Sequence, residues 1–461
     1  MDEKIYTALG LMSGTSLDGI DVTIIETDGV DIFGFGTSKE RPFSNTEKIV
    51  LRRATQDALN WRFNGPPPNS FAQAEAIIDA AHIAAIGDMG ADIVGYHGQT
   101  ILHHPPVDGE SGQTLQLGRG EVLANKLDIP VAYDFRTADV EAGGQGAPLA
   151  PIYHEALVRY SKLKGRVAVV NIGGVSNVTA IEDGKILWAT DCGPGNGPLD
   201  SWVSQKTDTD FDVDGRLSFS GIVHFNKINQ WLNRDFFNRP IPRSADRYDF
   251  DVLDEMEGLS LEDGAATLAS FCAQSIARDF RRLEAKTVIV CGGGRKNPAI
   301  MAMLDVHCDA NVVSAEHVGW DGDMLEAQAF AYLAVRTFKG LPISFPETTG
   351  APRPLRGGRI AYPVDFAEIY GTSAVEIKEP DWVSIKAKIS LKEIDNDVIA
   401  AMCQPEDKVP AGINFTALRE EFLPLYRKYL SDLVKAAENE WSEKYGDKDL
   451  EEVWSEILRR D

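Results

Sequence analysis

Two glycine-rich turns, each joining a pair of strand-forming runs, constrain this chain more than any other feature. The first lies in Ile5 to Ile25, where apolar and β-branched residues flank Ser13-Gly14-Thr15-Ser16-Leu17-Asp18-Gly19 and Asp-Gly favours a tight turn. The second follows the run from Arg166 to Asn171, turns at Ile172-Gly173-Gly174 and resumes as Val175 to Ile181. Two hairpins of like character point to a chain built from two related halves. Between and after them, strand patterns at Asp92 to Tyr96, Val131 to Asp134 and Thr287 to Cys291 alternate with helical ones. The helical patterns include Phe71 to Ile86 and a stripe of Leu268, Cys272, Ile276, Phe280 and Leu283. Strands interleaved with helices predict an α/β architecture with parallel strand pairs.

Charge narrows the partners. The 461 residues carry 46 basic and 70 acidic side chains, a formal net charge of −24. Neutralising a nucleic acid backbone or an anionic membrane takes clustered Lys and Arg that this balance does not supply, so neither is an expected partner. With 43% hydrophobic residues the chain can bury a large core and should divide into two or three domains. No run approaches the roughly 20 apolar residues that a transmembrane helix needs, and Met1-Asp2-Glu3-Lys4 does not open like an export signal. Cys192, Cys272, Cys291, Cys308 and Cys403 are scattered with no C-x-x-C pair, which argues against a disulfide framework or a thiolate zinc site. The expected compartment is the cytoplasm.

Gly14 to Gly19 has the G-x-x-x-x-G spacing of a P-loop, but Ile20-Asp21 stand where Lys and Ser/Thr belong. The turn also joins two strands, which suits a phosphate hairpin of the actin and sugar-kinase type. There, backbone N–H groups and small hydroxyls surround phosphate and an Asp holds the metal. A purely structural turn is the competing reading. Gly173-Gly174 supplies a second clamp from the other half. Cys291-Gly292-Gly293-Gly294, after a buried-looking strand and before a helix starting near Asn297-Pro298, either leaves room for an adenosine against backbone or is only a tight strand-to-helix turn. Three such segments in order favour ATP in a cleft between two lobes, its phosphates held by backbone dipoles and Mg²⁺.

Asp191 follows a short strand, Ile186 to Ala189, and precedes Gly193-Pro194-Gly195-Asn196. That setting makes it a general base presented by a rigid loop, or else a cap for the next helix. His97-Gly98-Gln99-Thr100, Asp134-Phe135-Arg136 with Asp139, and Gly143 to Pro148 are polar clusters suited to lining a sugar site. His103-His104 match no ligand pattern and read as surface polar residues. Phe345 to Pro363, rich in Pro and Gly, reads as a structured loop closing the main body. Beyond it, Leu418, Phe422, Tyr426, Tyr429, Leu433, Ala437 and Trp441, then Leu450, Val453, Trp454 and Ile457, form apolar stripes at helical spacing with no chemistry attached.

Taken in order, Leu11 to Asp21, His97 to Thr100, Asp134 to Arg136, Gly144 to Leu149, Asn171 to Asn177, Asp191 to Asn196, Cys291 to Gly294, Glu326-Ala327 and Thr349 to Ala351 closely resemble the motif series of the anhydro-N-acetylmuramic acid kinase family. The resemblance covers about residues 5–363. It implies an α/β, two-lobed actin-like ATPase (ribonuclease H-like) sugar kinase fold. Lobe I would take residues 1–140, joined by about 327–363, lobe II residues 141–326, and 364–461 would be a C-terminal helical extension of unknown role. The implied reaction uses ATP to phosphorylate O6 of 1,6-anhydro-N-acetylmuramic acid while water opens the anhydro bridge at C1. The product, N-acetylmuramic acid 6-phosphate, belongs to cell-wall recycling.

On that reading Asp191 deprotonates the attacking water. Gly14, Thr15, Ser16, Leu17, Asp18, Gly19, Ile20 and Asp21, with Gly173, Gly174, Gly292, Gly293 and Gly294, hold ATP, and Asp18 is the Mg²⁺ side chain. His97, Gln99, Thr100, Asp134, Arg136 and Glu326 meet the sugar, and the family suggests a homodimer. Two departures stand out. The family's Asp-Thr-Gly-Pro-Gly-Asn is here Asp191-Cys192-Gly-Pro-Gly-Asn196, and its Pro-Pro-Lys-Ser-Thr-Gly-Arg loop is Pro240-Ile-Pro-Arg243-Ser244-Ala245-Asp-Arg247. Levoglucosan kinase, acting on the anhydro sugar of glucose, is the alternative within the fold, and a non-catalytic sugar or nucleotide sensor is the alternative from another class.

Overall fold

The computed structural model describes residues 4–106, 111–245 and 247–363. The two apolar helical stripes expected beyond residue 363 lie outside the described residues.

Strands β1 (Tyr6–Ser13), β2 (Gly19–Thr27) and β3 (Ile32–Pro42) form an antiparallel meander. Next, β4 (Ile93–His104) lies parallel to β1, β5 (Gln113–Leu117) folds back antiparallel on β4, and β6 (Val131–Tyr133) lies parallel to β4. A second meander comprises β7 (Arg166–Ile172), β8 (Val175–Glu182) and β9 (Lys185–Pro194). It is extended by β10 (Thr287–Cys291), parallel to β7, and β11 (Asn311–Ser314), parallel to β10. Last, β12 (Arg359–Ala361) returns antiparallel to β6, so the Pro- and Gly-rich segment does close the first sheet.

Apart from β12 at the edge beyond β6 and β5 beside β4, the strand orders across the sheets are β3-β2-β1-β4-β6 and β9-β8-β7-β10-β11. Both are three antiparallel strands followed by two parallel ones, so the two hairpins open one topology used twice. This duplicated α/β order is that of the actin-like ATPase fold. Helices cover both faces of each sheet, which is why strands such as β7 are apolar almost throughout. The middle layer consists of the helices Pro151–Tyr160 and Leu325–Phe338. Their Tyr153 and Tyr332 rings pack at 5.7 Å, Tyr153 Oη donates to Gln328 over 2.6 Å, and both helices share one core with β1, β7 and β10. The helices Asn45–Trp61 and Ser70–Ile86 pack on the outer face of the first sheet, and Leu261–Phe280 with Pro298–Cys308 on that of the second. No helix among the described residues is long and apolar enough to cross a membrane.

Two glycines let the middle layer close on the first sheet. A Cβ on Gly10 of β1 would fall 1.8 Å from the Ala327 carbonyl oxygen, and one on Gly95 of β4 would fall 2.0 Å from that of Phe330. Any larger residue would push the Leu325–Phe338 helix outward, and with it Glu326 in its first turn. Strand β4 also departs from expectation. It runs on past Tyr96 to His104, bending at Gly98, whose φ of +70° needs a residue without a Cβ.

Candidate active site

A cavity of roughly 490 Å³ opens where the glycine-rich turns of both halves meet, a size suited to a nucleotide or sugar. Gly14, Thr15, Ser16, Asp18, Gly19 and Asp21 line it from the β1–β2 turn, Gly173 and Gly174 from the β7–β8 turn, and Gly292 and Gly293 from the end of β10. Each turn is braced from behind. Leu17, at φ +61°, donates its N–H to the Gly14 carbonyl over 3.2 Å and sinks its side chain into the core beside Ile20. Leu17 and Ile20, expected at the nucleotide, have their side chains in the core under the turn and are not among the residues that line the cavity. The Gly173 carbonyl accepts from Asn196 N–H at 2.8 Å, and Gly195 lies so close to it that a Cβ would come within 1.9 Å. Gly292, at φ +75°, packs on Asn171, while Gly294 packs on Ile172 and stands behind the wall. Lys296 reaches the cavity, paired with Asp323 at 2.8 Å.

Carboxylates crowd the same space. Burial raises the Asp21 carboxyl to about 7, with Glu326, Glu40, Asp323 and Asp321 adding like charge. A cation bound there would relieve that excess negative charge. Among the described residues no three His, Cys, Asp or Glu side chains converge into a complete metal cage. The arrangement fits Mg²⁺, which commonly takes one or two carboxylates and completes its shell with water and phosphate oxygens. Asp18, exposed on the turn, and Asp21, half-buried beside it, both line the cavity.

Asp191 is buried and lines the cavity, but not from a loop after a short strand: β9 continues through it to Pro194. Nor does it cap the following helix, Gly197–Ser204, which starts from Asn196. Its N–H donates to the Arg243 carbonyl at 3.0 Å, and its Oδ2 accepts from Ala245 N–H at 2.9 Å. Burial lifts its carboxyl to about 7 against the lowering pull of the Ala245 N–H, Arg136 and Arg243. A carboxyl at that value is poised to take a proton near neutrality.

Arg136 is held by two acceptors. Its Nε and Nη2 lie 3.2 and 3.1 Å from His97 Nε2, and its Nη1 donates to the Gly146 carbonyl at 2.8 Å. His97 Nδ1 lies 2.8 Å from the Gly98 carbonyl, and burial together with the Arg136 charge keeps the ring neutral, so Nδ1 donates and Nε2 accepts. Glu326 accepts from Asn171 Nδ2 at 2.8 Å, and burial raises its carboxyl while Arg136 and Asn171 oppose the rise. Gln99 and Thr100 line the cavity next to His97.

Asp134 is not brought to this cavity. It borders a separate one of roughly 210 Å³, bonded to Thr137 Oγ1 at 2.5 Å and to Arg359 at 3.0 Å. His103, in contrast, is no surface residue. It is buried between Thr114 Oγ1 and the Gln145 carbonyl, each at 3.0 Å, and lines the main cavity. Gln99, Thr100, Ile101 and His103 of β4 all line the cavity, across an irregularity in the ladder with β5 between Thr100 and Leu102. Sequence reasoning also passed over Ala245 and Arg243, whose backbone holds Asp191.

A family model described as anhydro-N-acetylmuramic acid kinase matches residues 6–363. An anhydro-N-acetylmuramic acid kinase of Mesorhizobium japonicum is 45% identical over 366 residues, covering 77% of this chain and 98% of that protein. Proteins of the same name from Caulobacter vibrioides and Acidiphilium cryptum are 46% and 47% identical, each over 363 residues. They cover 76% and 78% of this chain, and 98% and 99% of their own lengths.

Proposed function

Because this chain belongs to the anhydro-N-acetylmuramic acid kinase family, we propose that it phosphorylates O6 of 1,6-anhydro-N-acetylmuramic acid with ATP while adding water at C1. The observation that carries this reading is Asp191, a buried carboxyl held near neutrality in the same cavity as three glycine-rich turns. A kinase acting on a free hydroxyl would use such a base to deprotonate that hydroxyl; the family's anhydro sugar has no free O6 hydroxyl, so here the base acts on water.

In the proposed reaction the water oxygen attacks C1 and one of its protons passes to Asp191. The C1–O6 bond breaks with its electron pair left on O6. That oxygen takes the γ-phosphoryl group, the bond to the β-phosphate breaks, and ADP leaves. Backbone N–H groups of Gly14 to Gly19 and Gly173-Gly174, with the Lys296 ammonium, are suited to the phosphates. Asp18 and Asp21 would hold Mg²⁺, which when bound neutralises charge on the transferring phosphate. Arg136, the neutral His97 and Glu326 would orient the sugar, with Gln99 and Thr100 beside them, and burial strengthens each of those hydrogen bonds. We place this activity in the cytoplasm, in a homodimer acting on a small sugar.

Purified protein given ATP and Mg²⁺ with either 1,6-anhydro-N-acetylmuramic acid or levoglucosan tests the reading. The muramic sugar should release ADP and yield a product heavier by one phosphoryl group and one water. Preference for levoglucosan would move the assignment to the other anhydro sugar, and ATP binding without turnover of either would overturn the catalytic reading.

A further inference from the structure

The segment after Pro242 does for Asp191 what a neighbouring strand would do. Arg243 donates its N–H to Thr190 Oγ1 at 3.0 Å and accepts the Asp191 N–H on its carbonyl, and two residues on, Ala245 donates to the Asp191 carboxylate. This segment is not part of either sheet, so its position must be fixed by other means. The Arg243 side chain runs inward and is buried. Its Nη2 lies 2.5 Å from Asp279 Oδ2, its Nη1 donates to the Arg239 carbonyl at 3.3 Å, and its guanidinium lies 4.7 Å from the centre of the Phe236 ring.

Asp279 sits in the last turn of the Leu261–Phe280 helix, also buried. An anion is disfavoured there twice, by burial and by the negative end of the helix dipole. Burial pushes its carboxyl up, while Arg243, Arg282 and Arg278 pull it back. Such a residue contributes little to fold stability that an apolar side chain would not. What it does is fix one point. The same helix is pressed against β9, where a Cβ on Gly193 would fall 2.7 Å from that of Ser275.

We propose that Arg243 and Asp279 form a positioning pair that ties the 243–245 segment to the Leu261–Phe280 helix and thereby aims the Asp191 carboxylate. The inference deepens the functional reading and rests on Asp191 as the base. Groups bearing on Asp191 are Arg136 from the loop after β6, Arg243 from the segment itself and Asp249 from the turn Arg247–Phe250. Loosening the pair weakens the Ala245 hydrogen bond, which favours the ionised form, and so raises the Asp191 carboxyl. Replacing Arg243 also removes a charge that lowers it, whereas replacing Asp279 alone leaves that charge in place and opposes the rise.

Three variants of the full chain test this. Asp279→Asn keeps the shape and removes the ion pair, Arg243→Met with Asp279→Leu removes both charges so that neither is left buried alone, and Arg243→Lys preserves the charge pair. The first two should lower kcat about tenfold or more with KM for ATP and sugar nearly unchanged, and the double variant, which removes the Arg243 charge, should move the acid limb of the kcat profile to higher pH. Arg243→Lys keeps the charge but loses the fork that reaches Asp279 and Arg239 together and the packing on Phe236, so it should lose less kcat than the double variant and hold its acid limb closer to the parent's. Introduced into Asp191→Asn, the Asp279→Asn change should produce no further loss, since residues acting as one unit are not additive. Parent-like kcat in folded Asp279→Asn, a parent-like acid limb in the folded double variant, or an equal further loss in the Asp191→Asn background would overturn the proposal while leaving Asp191 as base. Full activity in Asp191→Asn itself would instead remove the reading on which it rests.

Discussion

The carboxylate of Asp191 and the backbone N–H of Ala245, 54 residues apart in the chain, meet at 2.9 Å. This contact stabilises the ionised form while burial favours the neutral one, and the balance leaves the carboxyl at about 7. The same group therefore accepts a proton from water near neutrality and does not hold one so tightly that it stays spent.

The pH dependence follows directly. Only ionised Asp191 accepts a proton, so kcat should rise about tenfold per pH unit below 7 and level off above it. A profile of kcat at saturating ATP and sugar checks this. An acid limb near 4, the ordinary carboxyl value, would show that burial does not tune this residue.

Asp21 makes a stability prediction. Its carboxyl is raised from 3.8 in the unfolded chain to about 7 in the folded one. A group shifted this way is fully compatible with folding below the unfolded value. Its cost grows as pH rises from about 4 and is complete above about 7. Asp21→Asn without Mg²⁺ or nucleotide should therefore raise Tm at pH 8 and raise it much less at pH 4. Equal shifts at both values would contradict the charge crowding. In the loaded enzyme the same change should raise the Mg²⁺ concentration needed for half-maximal turnover.

Much of this was legible in the chain. The two hairpins announced a repeated topology because glycine at a turn leaves a local signature, and Asp191 stood out beside Gly-Pro-Gly. The pairing of Arg243 with Asp279 left no such trace, since 36 residues separate them and each reads alone as a surface charge. Asp134 and Arg136 are neighbours in sequence yet border different cavities, with Asp134 at φ +53° turned toward Arg359. Leu17 and Ile20 share one glycine-rich segment with Ser16 and Asp18, but their apolar side chains, one in the turn and one at the start of β2, go to the core.

The close approach of the middle layer makes Gly10 and Gly95 sensitive. Gly10→Ala would place a methyl group 1.8 Å from the Ala327 carbonyl oxygen. The helix must move, at a cost of about 1–3 kcal/mol, and Glu326 moves with it. Urea unfolding should show the loss, and KM for the sugar should rise. Parent-like stability would mean that the helix is not held against the sheet.

Arg136→Met should raise KM for the sugar about tenfold or more with KM for ATP little changed, because it removes the donors to His97 and Gly146 and leaves Glu326 without its neighbouring charge. Steady-state kinetics with each substrate varied in turn would separate the two. An equal rise in both would point to collapse of the cavity.

Asp191→Asn tests the central claim most directly. The substitution keeps the shape of the side chain and removes its charge and with it the ability to take a proton. Formation of the water-added, phosphorylated sugar should fall by about 10² to 10⁴, with the dissociation constant for ATP unchanged within about twofold. Turnover at the parent rate would contradict the account.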